Sequence, residues 1–175
     1  VWGGFAEFSP SSGQAGGGTV LAVEGGGFVG SSVFECAFTT LQTGFDPSNA
    51  AQWVGSASVT VISHDKLNCT AGAWGATEAA SSVFVYLLKD GSIVTKSDGS
   101  SSAAFTFIET VRYIDTSRGK ANGGETVGVV GYGFDTGDSD YVCEFSNEAR
   151  SEVTTVSGLS PSNSTYLECG PTPVW

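Results

Sequence analysis

A chain of 175 residues with Lys+Arg 7 against Asp+Glu 18 carries a formal net charge of -11; that sign repels polyphosphate and anionic lipid heads, so no nucleic acid is expected as a partner. Its 25 glycines, absence of methionine and few strong helix formers favour short strands and turns, with almost no helix. The longest apolar run, Val83-Phe84-Val85-Tyr86-Leu87-Leu88, falls well short of the ~20 residues of a spanning helix, so no membrane insertion is expected.

In chain order, the turn Gly16-Gly17-Gly18 leads into a predicted strand over 20–23, with Leu21 and Val23 inward and Ala22 and Glu24 alternating with them. Phe34, Cys36 and Phe38 recur with period two and predict a second half-buried strand, which 59–62, Leu67 and Cys69 face across the core. The run 83–88 is apolar on both faces, which suits either a central covered strand or a subunit contact. Asp90-Gly91 marks a hairpin turn, and 104–108 supplies another strand.

Much of this then repeats. Gly17-Gly18-Thr19-Val20-Leu21-Ala22-Val23-Glu24-Gly25-Gly26-Gly27-Phe28 has a near copy in Gly123-Gly124-Glu125-Thr126-Val127-Gly128-Val129-Val130-Gly131-Tyr132-Gly133-Phe134. Each copy is followed by an aromatic-x-Cys-x-Phe strand, Phe34 to Phe38 and Tyr141 to Phe145, and by a distal Leu-x-Cys, Leu67 to Cys69 and Leu167 to Cys169. Self-similarity of this kind predicts an all-β chain of two tandem immunoglobulin-like sandwiches, over 1–109 and 110–175. No Pro/Gly/Ser spacer separates Ile108 from Tyr113, so the last strand of one module is expected to run almost directly into the first of the next, as in a stiff rod.

The second copy continues through 153–156, Leu167 and Cys169 and is then followed only by Gly170-Pro171-Thr172-Pro173-Val174-Trp175, without a counterpart of the hairpin around Asp90-Gly91. Four or five inward side chains at roughly 1.5–3 kcal/mol each rival the net stability of a small domain, so an unfilled groove is not a stable resting state. The expectation is that a neighbouring copy fills it by strand addition in a homo-oligomer or filament, or that the chain continues past Trp175. The chain opens at Val1 with neither an initiator Met nor a signal peptide, as a mature or partial chain would.

The 4 cysteines fall one pair per copy and lack the Cys-x-x-Cys spacing of zinc and redox sites. They read as the disulfides Cys36–Cys69 and Cys143–Cys169, with free thiols or metal ligation as the alternatives. Each bridge is worth roughly 3–4 kcal/mol by loop closure. Such pairing implies an oxidising, extracellular compartment. Two N-x-S/T sequons, at Asn68 and Asn163, agree with it.

The pattern Pro10, Gly13, Gly17, Gly18, Thr19, Gly25, Gly27, Phe28, Cys36, Phe38 and Cys69 resembles the IPT/TIG domain, the immunoglobulin-like module of plexins, related receptors, some transcription factors and many secreted bacterial and protist proteins. In the second copy it reappears as Gly119, Gly123, Gly124, Gly131, Gly133, Phe134, Cys143, Phe145 and Cys169, with Thr116 for the proline and Glu125 for the threonine. The resemblance implies a sandwich used for adhesion, recognition or spacing and carries over no catalytic residue. By their residue type alone, Gly25, Gly27, Gly131 and Gly133 are expected to take positive φ where a strand turns between sheets, with Phe28 and Phe134 folding back as core plugs.

Other motifs carry less. Gly25-x-Gly27-x-x-Gly30 matches a dinucleotide fingerprint, but the residues after it predict a strand where that chemistry needs a helix N-terminus. His64, between Ser63 and Asp65, is the sole histidine; consecutive side chains of an extended segment diverge, so they do not form a triad. Asp135, Asp138 and Asp140 are a weak calcium candidate without the twelve-residue frame of a strong one. No cofactor is implied. Trp2, Trp53, Trp74 and Trp175 read first as core or inter-domain packing, with Trp53 or Trp74 stacking on a sugar as the alternative; Trp2, Phe5, Val174 and Trp175 are candidates for an interface. Together these readings predict a non-enzymatic extracellular structural protein of a fibre, stalk or array, or else part of a receptor or adhesin that binds protein or glycan.

Overall fold

The computed structural model describes residues 4–174 and is built from strands, with two single-turn 3-10 segments, Ala50–Gln52 and Trp74–Ala76. The N-terminal strands are β1 (Gly4–Ser9), β2 (Ser12–Gln14), β3 (Val20–Gly26), β4 (Phe34–Thr39), β5 (Val54–Gly55), β6 (Ser58–Ser63), β7 (Lys66–Thr70), β8 (Ser82–Lys89), β9 (Ser92–Ile93) and β10 (Ser102–Ile108). They form a 4-stranded sheet, β1-β3-β7-β6, facing a 6-stranded sheet, β2-β10-β8-β4-β5 with β9 on β8. The C-terminal strands are β11 (Thr110–Ile114), β12 (Val127–Tyr132), β13 (Tyr141–Asn147), β14 (Glu152–Leu159) and β15 (Tyr166–Cys169). They form a 3-stranded sheet, β11-β12-β15, and a 2-stranded one, β13-β14.

Alternation decides the N-terminal core. Leu21 and Val23 of β3, Leu67 and Cys69 of β7, Cys36 and Phe38 of β4, Val83, Val85 and Leu87 of β8, and Phe105 and Phe107 of β10 all point between the sheets. Phe38 meets Phe105 and Phe107 edge-on at 5.5 and 5.3 Å, a preferred aromatic geometry. The Cys36–Cys69 disulfide ties β4 to β7 across the sandwich, its Cα atoms 6.2 Å apart.

The strand predicted over 83–88 is apolar on both faces because both are covered. Its outward Tyr86 and Leu88 join Ala37 and Phe45 in a second cluster, against which Leu41 and Trp53 pack. The loop between β4 and β5 closes that outer face, and the Tyr86 hydroxyl donates to the carbonyls of Leu41 and Gln42 at 3.0 and 2.7 Å. No subunit contact is needed to explain the run.

Phe5 corrects an expectation. Suggested for an interface, it is fully buried in the core, 4.8 Å from Phe8. A bulge between Phe5 and Glu7 in β1 places the inward residues three apart, which hides the strand from a period-two reading. A second correction concerns the glycines: Gly27 and Gly133 do adopt positive φ, +80 and +84. Gly25 and Gly131 do not; they are glycine because a Cβ there would lie 2.3 Å from the carbonyl oxygen of Gly4 or Thr110 on the paired strand.

Strand β10 ends one residue before β11 begins. The two groups of sheets then meet backbone to backbone: Gly133 N–H donates to the Gly75 carbonyl at 3.1 Å, and Ala80 N–H donates to the Gly133 carbonyl at 2.7 Å. Ser164 Oγ donates to the Ala76 carbonyl at 3.2 Å. A Cβ on Gly133 would come 2.7 Å from that of Ala15, and the Tyr132 ring lies over Gly16 against the N-terminal core.

Candidate functional site

The C-terminal strands retrace the N-terminal ones residue for residue. Phe5 pairs with Gly25 in β1–β3 and Val111 with Gly131 in β11–β12; the bulge recurs between Val111 and Tyr113; Phe8 opposite Val23 becomes Ile114 opposite Val129. The plugs match as well: Phe28 N–H donates to the His64 carbonyl and Phe134 N–H to that of Ser164, each at 3.0 Å. Both plug side chains are 3% exposed. Cys143 of β13 and Cys169 of β15 form the second disulfide, with Cα atoms 5.8 Å apart.

What differs is cover. Phe5 and Phe8 are 0% and 9% exposed, whereas Val111 and Ile114 are 61% and 57% exposed. In the N-terminal sheets β4 hydrogen-bonds to β8 along its length, and β8 to β10. Among the described residues β13 pairs with β14 alone, so its other edge, where β8 lies on β4, offers unpaired backbone groups. The result is a cleft of about 490 Å³ between the two C-terminal sheets, floored by Val127, Val129, Phe134, Phe145, Leu167 and the disulfide. Only Phe134, Leu167 and Cys169 are buried there. The site is thus an apolar trough beside an open strand edge, the arrangement that accepts an added β-strand.

Residues 170–174 leave β15 beside the segment that precedes β12, as the residues after β7 lie beside the segment that precedes β3. Ala71 N–H donates to the Thr19 carbonyl at 2.8 Å and Thr172 N–H to that of Glu125 at 2.7 Å; Gly18 and Gly124 N–H groups donate to the Ala71 and Thr172 carbonyls, each at 2.9 Å. That N-terminal segment continues through Trp74–Ala76 to β8.

One rim of the trough is fixed by Tyr141. Its hydroxyl donates to the Glu109 carboxylate and accepts the Asp135 backbone N–H at 2.8 Å. Burial first, then the bond to Glu109, push its pKa up to about 12, so the phenol keeps its proton. On the outer face of the β11-β12-β15 sheet, away from the trough, Asp115 accepts the Gly128 N–H at 2.8 Å and the Tyr166 hydroxyl at 3.1 Å. The Gly128 bond above all, then that from Thr116, holds the Asp115 carboxyl below the usual carboxylate range.

Asp135 and Asp138 spend carboxylate oxygens on the N–H groups of Gly137 and Asp140, each at 2.8 Å, as turn-forming side chains. Among the described residues no group of three or more His, Cys, Asp and Glu side chains is disposed to hold a metal. His64 is exposed at the turn between β6 and β7, and Ser63 hydrogen-bonds Asp65 past it.

Trp53 and Trp74 both line a cleft of about 520 Å³. Trp74, however, is 4% exposed, lies flat on Phe107 at 5.5 Å and donates its indole N–H to the Ala79 carbonyl at 2.9 Å, so it is core and not an open platform for a sugar. Asn68 is half-buried in β7, and Asn163 is exposed in the β14–β15 loop. Val174 is exposed, and Trp2 and Trp175 lie outside the described residues. Among the described residues no helix is long and apolar enough to cross a membrane. Sequence reasoning missed Tyr141 as a fastener of the trough and Asp115 as a tie across β11, β12 and β15, because single polar residues in strands and turns carry no periodic signal.

A comparison with curated proteins finds no match. Among solved structures, the plexin A4 full extracellular region is similar at a TM-score of 0.37 and 18% sequence identity, the likeness covering 98% of this chain and 15% of that one. This chain therefore spans only a small part of that protein's length. The IPT/TIG domain model matches residues 5–107, from the buried Phe5 of β1 to Phe107 of β10. With more than half of its length matched by that model, and with two disulfide-bonded sets of β-sheets, the chain belongs to the IPT/TIG family.

Proposed function

We propose that the chain is a non-catalytic part of an extracellular receptor- or adhesin-type array of IPT/TIG modules that recognises a protein or glycan. In this reading it comprises two tandem modules, 1–109 and 110–175, and the later one is closed by strands supplied in cis along the same polypeptide. The observation that carries it is the trough beside β13, apolar and in register with the face that β8 and β10 cover in the N-terminal sheets. The matching path of residues 170–174 and 70–74 favours cis supply, because the earlier segment leads into β8. Family membership and the disulfides support an extracellular, recognition-type role.

A second reading, in which a neighbouring copy donates the strands and builds a fibre, is favoured by the openness of the β13 edge itself. Sedimentation and amide exchange of the 175-residue chain separate the two. Cis supply expects a monomer whose unpaired β13 edge exchanges quickly. A concentration-dependent oligomer in which that edge is protected overturns it in favour of donation between copies.

A further inference from the structure

The two sequons sit in opposite local geometries. Asn163 lies exposed in the β14–β15 loop, and its side-chain Oδ1 accepts both the backbone N–H of Thr165 at 2.9 Å and the Thr165 hydroxyl at 2.7 Å. The asparagine and the residue two further on are therefore folded onto one another in an Asx turn. With Oδ1 engaged twice, Nδ2 is left without a protein acceptor among the described residues.

Asn68 is held differently. It sits in β7 with Ala22 of β3 and Thr60 of β6 paired on either side. Asn68 and Thr70 point to the same face of an extended strand, their backbones roughly 7 Å apart at about 3.3 Å per residue. The Thr70 hydroxyl is engaged instead by Ser58 Oγ at 3.0 Å.

We propose that Asn163 is an N-glycosylated residue of this chain and that it is modified in preference to Asn68. The donor class is a lipid-pyrophosphate-linked oligosaccharide. A bond forms between Nδ2 and the sugar C1, the C1–O bond to the pyrophosphate breaks, the pyrophosphate leaves with that electron pair, and an amide proton passes to a base of the transferase. The Thr165 hydroxyl polarises the amide through Oδ1 and holds Nδ2 outward. The neighbouring Ser164 is hydrogen-bonded to Ala76 of the N-terminal sheets, so the glycan stands at the seam between the two regions.

This inference rests on the extracellular reading, and the experiment separates the two. The chain is secreted from a cultured eukaryotic cell, its disulfides are scored by non-reducing peptide mapping, and the glycan is removed with an amidase in heavy-oxygen water. The expected result is an Asn-to-Asp mass shift at position 163 in most of the secreted material and in little or none of it at 68. Thr165→Ala is expected to abolish the shift at Asn163, and Thr165→Ser to retain it, both with normal secretion. Secreted, fully disulfide-bonded protein with Asn163 unmodified, or with Asn68 more occupied than Asn163, overturns the inference alone. A chain retained with reduced cysteines overturns the extracellular reading instead.

Discussion

The N-terminal and C-terminal sheets share a bulge, a phenylalanine plug, a left-handed glycine and a disulfide, yet only the first set has a filled interior. Phe5 and Val111 take the same place in the same pairing, one sealed and the other open to solvent. The repeated residues therefore define strands, turns and cross-links. Filling the space between sheets is a separate task, which falls to β8 and β10, and those lie outside the duplicated signature. A signature match thus reports local geometry better than it reports stability.

The largest way to sharpen this contrast is truncation at equivalent aromatic positions. Phe38→Ala removes a fully buried ring wedged between Phe105 and Phe107 and is expected to cost about 3–5 kcal/mol in chemical denaturation. Phe145→Ala, at the half-open counterpart, is expected to cost less than half as much; equal losses would break the comparison.

Next in size is the second disulfide. Replacing Cys143 and Cys169 by serine is expected to remove about 2–4 kcal/mol and to release protection across β11–β15 while β3, β4, β7 and β8 stay protected in amide exchange. Uniform loss of protection would show that the two regions unfold as one unit.

Gly133→Ala forces a β-carbon onto a backbone with φ +84 and against Ala15, so a loss of about 1–3 kcal/mol and a looser seam are expected, read by calorimetry and small-angle scattering. Gly27→Ala meets a similar backbone at φ +80 away from the seam, so it should lower the melting temperature without changing the scattering profile.

The smallest effect is in pH. Because the folded state lowers the Asp115 pKa, its contribution is present above the unfolded value of about 4 and fades as pH falls through the folded one. Thermal melts from neutral to strongly acidic pH should show a shallower acid-side loss in Asp115→Asn than in the parent, and an unchanged acid limb would dismiss the role.

Much of this architecture is legible in the residues. Leu21, Val23, Cys36, Phe38, Leu67 and Cys69 alternate cleanly, and each lies where its period places it. Strand β1 is not legible, because its bulge spaces Phe5 and Phe8 three apart and a short glycine-bearing segment then looks like a loop. Nor is the cover over Tyr86 and Leu88, since the loop containing Phe45 and Trp53 has no repeat to read. The trough could be anticipated from the lack of a second hairpin. The seam could not: Ala15, Gly75, Ala80 and Gly133 are small residues whose value lies in letting backbones touch, and nothing in their order marks them.

Strand β2 runs parallel to β10, with Ser12, Gly13 and Gln14 opposite Thr106, Phe107 and Ile108. Tension along the polypeptide enters this region ahead of β2 and leaves it through the far end of β10. The two neighbours are then dragged lengthwise past each other, so their bonds must rupture together and not one after another. The β2–β10 pairing thereby acts as a small shear clamp near the two ends of the N-terminal sandwich.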